Sequence, residues 1–167
     1  NARDAEAAYR AYLGIMESRV LPNLSLLSND NPSAVTGMPI FVLQTRQYLA
    51  RNLLQQNRLA EAESEARRAL LDVLKWKGRY APETGGAILS LAAIVYGQGR
   101  YPEAEQLGRA ALDVYANVGT ENASFAVSEA RRMVARTLGS QNKWTDAAVI
   151  YADMKKDIRS EEHTSEP

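Results

Sequence analysis

The sequence predicts an all-α protein, a solenoid of antiparallel helix pairs with about seven helices. Two observations carry that prediction. Three segments align without gaps, NRLAEAESEARRAL from Asn57, GRYPEAEQLGRAAL from Gly99 and NKWTDAAVIYADMK from Asn142, at spacings of 42 and 43 residues. A period in the range of roughly 20–50 residues marks stacked units, each too small to bury its apolar face alone. Around every segment, small and aliphatic residues also recur at helical rather than strand spacing.

The elements follow in chain order. A partial copy opens the chain, where Asp4 to Leu13 matches Glu103 to Leu112, so residues 1–21 are expected to form the second helix of an incomplete pair. Its offset to the next copy is 57 residues, one period plus an insert. The Pro/Asn/Ser-rich stretch 22–38 is the expected loop insert. Three full repeats follow, over 39–78, 79–120 and 121–158. In their first helices the triplets Leu49, Ala50, Leu53, then Leu91, Ala92, Val95, then Val134, Ala135, Leu138 share one face and should pack inward. The second helices carry small stripes, Ala62, Ala66, Ala69, Leu70, then Ala104, Gly108, Ala111, Leu112, then Ala147, Tyr151, Met154, which permit close helix approach.

The turn inside each pair reads Gln56-Asn57-Arg58, Gln98-Gly99-Arg100 and Gln141-Asn142-Lys143. Asn and Gly tolerate the left-handed conformation that ends a helix. Leu59, Tyr101 and Trp144 come next and are expected to fill the wedge between paired helices. Glu61, Glu103 and Asp146 then place negative charge in the first turn of the second helix, and Pro102 fits that turn because its missing N–H is not needed there. Glu6–Arg10, Glu63–Arg67 and Glu105–Arg109 form acid-to-base pairs in one slot, replaced together by Ala148 and Ala152 in the last copy. Such pairs are worth about 0.2–0.5 kcal/mol and are expected on a solvated face.

These residues resemble tetratricopeptide repeats. The small residue in the first helix is Ala50, Ala92 or Ala135, and the opening of the second is best kept as Gly99-Arg100-Tyr101-Pro102-Glu103-Ala104. The long period resembles the kinesin-light-chain subtype, also common in large bacterial multidomain proteins, with linkers such as Gly78 to Thr84 and Val118 to Ser124. The resemblance implies a right-handed superhelix. The aromatic usual within the second helix is absent at Ala66 and Gly108, though Tyr9 and Tyr151 keep it.

Composition narrows the function. Hydrophobic residues make up 46% and charged residues 24%, as in folded globular proteins. Twenty basic side chains balance twenty acidic ones, so no global field draws nucleic acid or an anionic membrane. Tyr101 and Trp144 hold equivalent repeat positions and read as packing residues, while Trp76 and Tyr80 beside Lys75 and Lys77 form a weaker candidate patch for base stacking. There is no cysteine, and the only histidine is His163, so neither metal-ligand pairs nor a catalytic triad can be assembled. No cofactor and no enzymatic activity are expected. Gly97-Gln98-Gly99 follows no strand and is no dinucleotide loop. Asn23-Leu24-Ser25 and Asn122-Ala123-Ser124 match the glycosylation pattern, which chance also produces. No apolar run reaches the roughly 20 residues of a membrane span. The first residues form no secretion signal, so the cytoplasm is the expected compartment. A start without Met, already in helical rhythm, reads as a piece of a longer protein.

By the resemblance, function belongs to the concave inner face of the first helices, which receives a peptide or partner helix. The groove positions are Gln44, Gln47, Arg51, Leu54 and Gln55, then Gly86, Leu89, Ala93 and Tyr96, then Glu129, Arg132 and Arg136. Arg51, Arg132 and Arg136 suit an acidic ligand or a C-terminal carboxylate, because guanidinium grips carboxylates bidentately. The expected role is a protein-interaction scaffold. The alternatives are the regulatory arm of a larger enzyme and a self-assembling structural array. Helical periodicity stops near Ile158, and residues 159–167 resemble a translated sequencing adapter, so they are set aside from the fold.

Overall fold

The computed structural model describes residues 1–23, 32–120 and 124–164, with side chains for 1–23, 40–120 and 124–157. Among the described residues seven α-helices run in chain order: α1 (Ala2–Ile15), α2 (Pro32–Gln55), α3 (Leu59–Lys77), α4 (Pro82–Gly97), α5 (Tyr101–Asn117), α6 (Phe125–Ser140) and α7 (Trp144–Thr164). No strand occurs among the described residues. The fold is the expected all-α array of helix pairs. Helices α3, α5 and α7 begin at Leu59, Tyr101 and Trp144, the spacings of 42 and 43 residues that the sequence sets. The chain forms two compact units, Asn1–Trp76 and Lys77–Pro167, divided in the last turn of α3.

Asn57, Gly99 and Asn142 take φ of 60°, 78° and 61°, the left-handed residues predicted in each turn. Closure is the same three times: the N–H of Arg58, Arg100 and Lys143 donates to the carbonyls of Leu53, Val95 and Leu138 at 3.0, 3.2 and 2.9 Å. The predicted first-helix triplets are all buried, as are Ala62, Ala66 and Ala69 on α3 and Ala104 and Ala111 on α5. Each fully buried Leu or Val contributes about 1.5–3 kcal/mol.

In the first unit, α1 packs on α2 and ends in a π-helical turn at Met16–Val20 and a 3-10 turn at Leu21–Asn23. Asn1 caps α1, its side-chain oxygen accepting from the Arg3 N–H at 2.8 Å. Helix α2 corrects the loop expected over 22–38, because it already starts at Pro32. Proline suits the first helical position, where its missing N–H is not needed. Pro39 further on removes one backbone bond without ending the helix. The rest of that insert, 24–31, lies outside the described residues, as do 121–123 of the second linker with Asn122, and 165–167.

In the second unit, α4 packs on α5, α5 on α6, and α6 on α7, while α4 also touches α6. Ser124 caps α6 through the Val127 N–H at 3.3 Å. Helix α7 continues past Ile158 to Thr164. This corrects the expected end near Ile158; Glu161 and Glu162 are good helix formers.

The acid-to-base pairs form as predicted, Arg10 to Glu6 at 3.0 Å and Arg109 to Glu105 at 2.9 Å. Their expected solvated setting is corrected, since the Glu6 and Glu105 side chains are only 12% and 14% exposed. Each carboxylate reaches the turn of the following pair. Glu6 accepts from Gln56 Nε2 at 3.0 Å and Arg58 Nη1 at 2.6 Å. Glu105 accepts from Gln141 Nε2 at 2.8 Å, with Lys143 Nζ at 3.4 Å. The Gln-x-basic turn is therefore an inter-repeat clamp, which the sequence spacing within one helix could not show.

Bonds from Gln56 and Arg58 hold the Glu6 carboxyl at about 2, far below its ordinary range. At Glu105 burial acts upward, but Gln141 and Arg109 outweigh it and leave the carboxyl lowered. A depressed carboxyl stabilises the fold above its unfolded pKa of about 4.3 and loses that contribution as pH falls through its folded value. The urea midpoint should therefore drop between about pH 5 and about pH 2. Glu6→Gln should flatten that dependence, and an unchanged slope would show that Glu6 is not clamped.

Candidate functional site

Within the second unit, the first helices of the pairs are α4 and α6. Gly86, Leu89 and Ala93 on α4 and Glu129, Arg132 and Arg136 on α6 are spaced three and four residues apart, so each set lies along one side of its helix. Leu89, Ala93 and Tyr96 are half-buried, while Arg132 and Arg136 are exposed. A Cβ on Gly86 would meet nothing within 4 Å, so the backbone is open there.

Tyr96 organises this face. The Arg136 guanidinium carbon lies 3.9 Å from the centre of the Tyr96 ring. The Tyr96 hydroxyl and Ser140 Oγ are 2.9 Å apart and share a hydrogen bond. The Tyr101 ring centre lies 5.2 Å from that of Tyr96, inclined by 51°. A cation over an aromatic face is worth about 0.5–1 kcal/mol at an exposed site. That contact holds the guanidinium against the Tyr96 ring. Among the described residues, Arg136 has no carboxylate partner.

The three predicted arginines are not equivalent. Arg132 Nη2 is paired with Glu129 Oε1 at 2.7 Å, so its charge is answered locally. Arg51 is exposed on α2 in the first unit, with Gln44 and Gln55 exposed and Gln47 and Leu54 half-buried. The structure thus brings Tyr96 and Arg136 together, sets Leu89 and Arg132 along the same two helices, and places Gln44, Gln47, Arg51 and Gln55 on α2. Tyr101 is half-buried as a wedge residue should be, but Trp144 is 66% exposed, correcting its expected burial. Its ring rests on Gly139, 3.0 Å from where a Cβ would stand. At the weaker patch, Arg79 sits over the Tyr80 ring at 5.2 Å and Lys77 faces Glu83 at 3.7 Å, so its charge is partly answered.

Sequence reasoning missed one polar centre. In the first unit Arg46, only 8% exposed, donates to Glu65 Oε2 and Asp72 Oδ2 at 2.9 Å each, and also meets Glu17. The repeat register held the signal. Arg131 and Asp157 occupy the same two slots and pair again, whereas Ile88 and Val114 fill them in the repeat between. Every carboxylate there is engaged by an arginine, so the centre is a satisfied ion network rather than an acid–base site. Among the described residues no group of three His, Cys, Asp or Glu could hold a metal ion, and no helix is long and apolar enough to cross a membrane. The His163 side chain lies outside the described residues.

Comparison with known proteins agrees with this architecture. Residues 84–118, from the first turn of α4 through α5, match the tetratricopeptide repeat family. The solved structure of BtubC (BKLC) from P. vanneervenii is similar, with a TM-score of 0.67 at 16% identity over 99% of this chain and 76% of that one. At that identity the likeness is one of fold, a tetratricopeptide-like helical repeat. Among curated proteins none matches the chain.

Proposed function

We propose that this chain, whose residues 84–118 are a tetratricopeptide repeat, is a protein-interaction scaffold that holds an acidic peptide segment on its α4–α6 face. Repeats of this family commonly mediate protein–protein contacts, and their fold is typically non-catalytic. The observation that carries the finer reading is Arg136, seated on Tyr96 at 3.9 Å and, among the described residues, without a carboxylate partner. Leu89, Ala93 and the open backbone at Gly86 offer an apolar floor beside it. A ligand carboxylate would accept from the Arg136 guanidinium, and an adjoining aliphatic side chain would lie on the floor.

A hydrogen bond to a charged group is worth about 1.5–3 kcal/mol, so Arg136→Ala should weaken an acidic peptide about 10- to 100-fold. Tyr96→Phe keeps the ring under the guanidinium and should cost far less. Asp/Glu-rich peptides titrated against the whole chain by fluorescence anisotropy give the comparison. Equal affinity of Arg136→Ala and the unaltered chain would refute the reading. Salt should weaken binding to the unaltered chain more steeply than binding to the variant.

A further inference from the structure

We infer that the outward side of α3 docks an acidic amphipathic helix of a partner protein, through Leu71, Leu74 and the cations beside them. This surface lies within the first unit and shares no residue with the α4–α6 face. Arg67, Arg68, Leu71, Leu74 and Lys75 recur at helical spacing, so they share one side of α3, and all five are exposed. The opposite side, with Ala62, Ala66, Ala69 and Val73, is buried. Leu71 is 66% exposed and Leu74 38%.

The internal repeat shows that these leucines do not serve the packing of helix on helix. In the next copy the same five slots hold Arg109, Ala110, Asp113, Ala116 and Asn117, and every one of them is exposed. In the last copy Asp153 and Lys156 stand in the slots of Arg68 and Leu71 and pair with each other at 3.2 Å. The slots therefore face solvent in the repeat frame, and the other copies fill them with small or polar side chains. Two leucines one helical turn apart instead make an apolar ridge rimmed by charge, which is the form of an interaction surface.

Charge defines the occupant. The Arg67 and Arg68 side chains are 50% and 61% exposed, whereas the carboxylates they touch, Glu63 at 2.7 Å and Glu65 at 3.2 Å, are only 17% and 10% exposed. Asp72 is engaged by Arg46 at 2.9 Å. Lys75 is exposed and, among the described residues, meets no carboxylate. The layer around the leucines is thus cationic, with the acids beneath it. An occupant with carboxylates beside aliphatic side chains answers both features. Helix α3 offers no strand edge to an extended peptide, while its ridges three and four residues apart suit the grooves of another helix.

The test uses the whole chain carrying Arg136→Ala, which disables the acidic-peptide site proposed on the α4–α6 face, so the two readings are decided apart. The probe is a fluorescein-labelled peptide of about 20 residues, long enough to hold a helix, with leucines at i, i+3 and i+7 and glutamates flanking them. A companion peptide has lysine for every glutamate. By fluorescence anisotropy the glutamate peptide should bind at least about tenfold more tightly than the lysine peptide. Leu71→Asp with Leu74→Ala installs residues that the next copy carries in the same slots. That variant should weaken binding at least about tenfold while the urea midpoint stays unchanged. Lys75→Asn should flatten the salt dependence of binding. Absence of binding, equal affinity for the two peptides, or binding indifferent to the leucine variant overturns the inference. So does adsorption to phosphatidylserine vesicles that the leucine variant abolishes, since the ridge would then face lipid. A solution mass that rises with concentration and falls back in that variant overturns it too, because the ridge would then belong to a second copy.

Discussion

Replacing Arg46 by Ala should destabilise the first unit by about 3–5 kcal/mol, the largest effect expected of a single polar substitution in this chain. Its guanidinium is nearly enclosed and holds Glu65, itself 8% exposed, together with Asp72 and Glu17. Removing the cation leaves Glu65 desolvated, with Arg68 Nη1 at 3.2 Å from its Oε1 as the remaining cation among the described residues. An unanswered buried carboxylate costs far more than the net worth of the ion pair that held it. Urea unfolding of the whole chain, followed by circular dichroism, measures the loss.

The repeat supplies the control. In the next copy the slots of Arg46, Glu65 and Asp72 are Ile88, Leu107 and Val114, an apolar trio in the same helical frame. Copying it as Arg46→Ile, Glu65→Leu and Asp72→Val removes the buried charges together and should recover most of the lost stability. If the triple variant were as damaged as Arg46→Ala, the network would be setting helix geometry rather than cancelling charge.

That slot shows what could and could not be read in advance. The turns, stripes and helix starts were legible because each repeats with its physical cause: a left-handed Asn or Gly, a small residue at a close approach, an acid at a helix N-terminus. Arg46 and Asp72 were legible too, once compared with Arg131 and Asp157, but a scan for apolar periodicity passes over charged residues in a core. The Glu6 and Glu105 clamps were not legible, because they join turns to a helix some 36 to 52 residues away. The start of α2 was misread because Pro, Asn and Ser mark loops on average, while Pro32 sits where a helix accepts it. The groove positions were carried over from the family resemblance, helix by helix. The pairing of Arg132 with Glu129 and the seating of Arg136 on Tyr96 depend on side-chain rotamers, which no spacing specifies.

The second large effect is expected at Gly108, where two of the copies, at Tyr9 and Tyr151, carry the aromatic that the family usually places there. Gly108→Tyr would restore that pattern and yet should destabilise the second unit by at least about 3 kcal/mol, at the upper end of overpacking costs. A Cβ alone at Gly108 would stand 2.8 Å from Val134 Cγ2 and 3.6 Å from Met133 Cγ. Val134 is 1% exposed and packs with Ala135, Leu138 and Ala147, so it has no space into which to turn. The ring could be accepted only by moving α6 away from α5 and opening that cluster. Gly108→Ala sets the scale, since alanine favours the helix by about 1 kcal/mol while its methyl group still presses on Val134. Pairing Gly108→Tyr with Val134→Ala should regain part of the loss, because the smaller residue vacates the space that the ring needs. Unfolding midpoints for the three variants decide the matter. Full stability in Gly108→Tyr would mean that α5 and α6 slide freely past each other and that glycine does not set their approach.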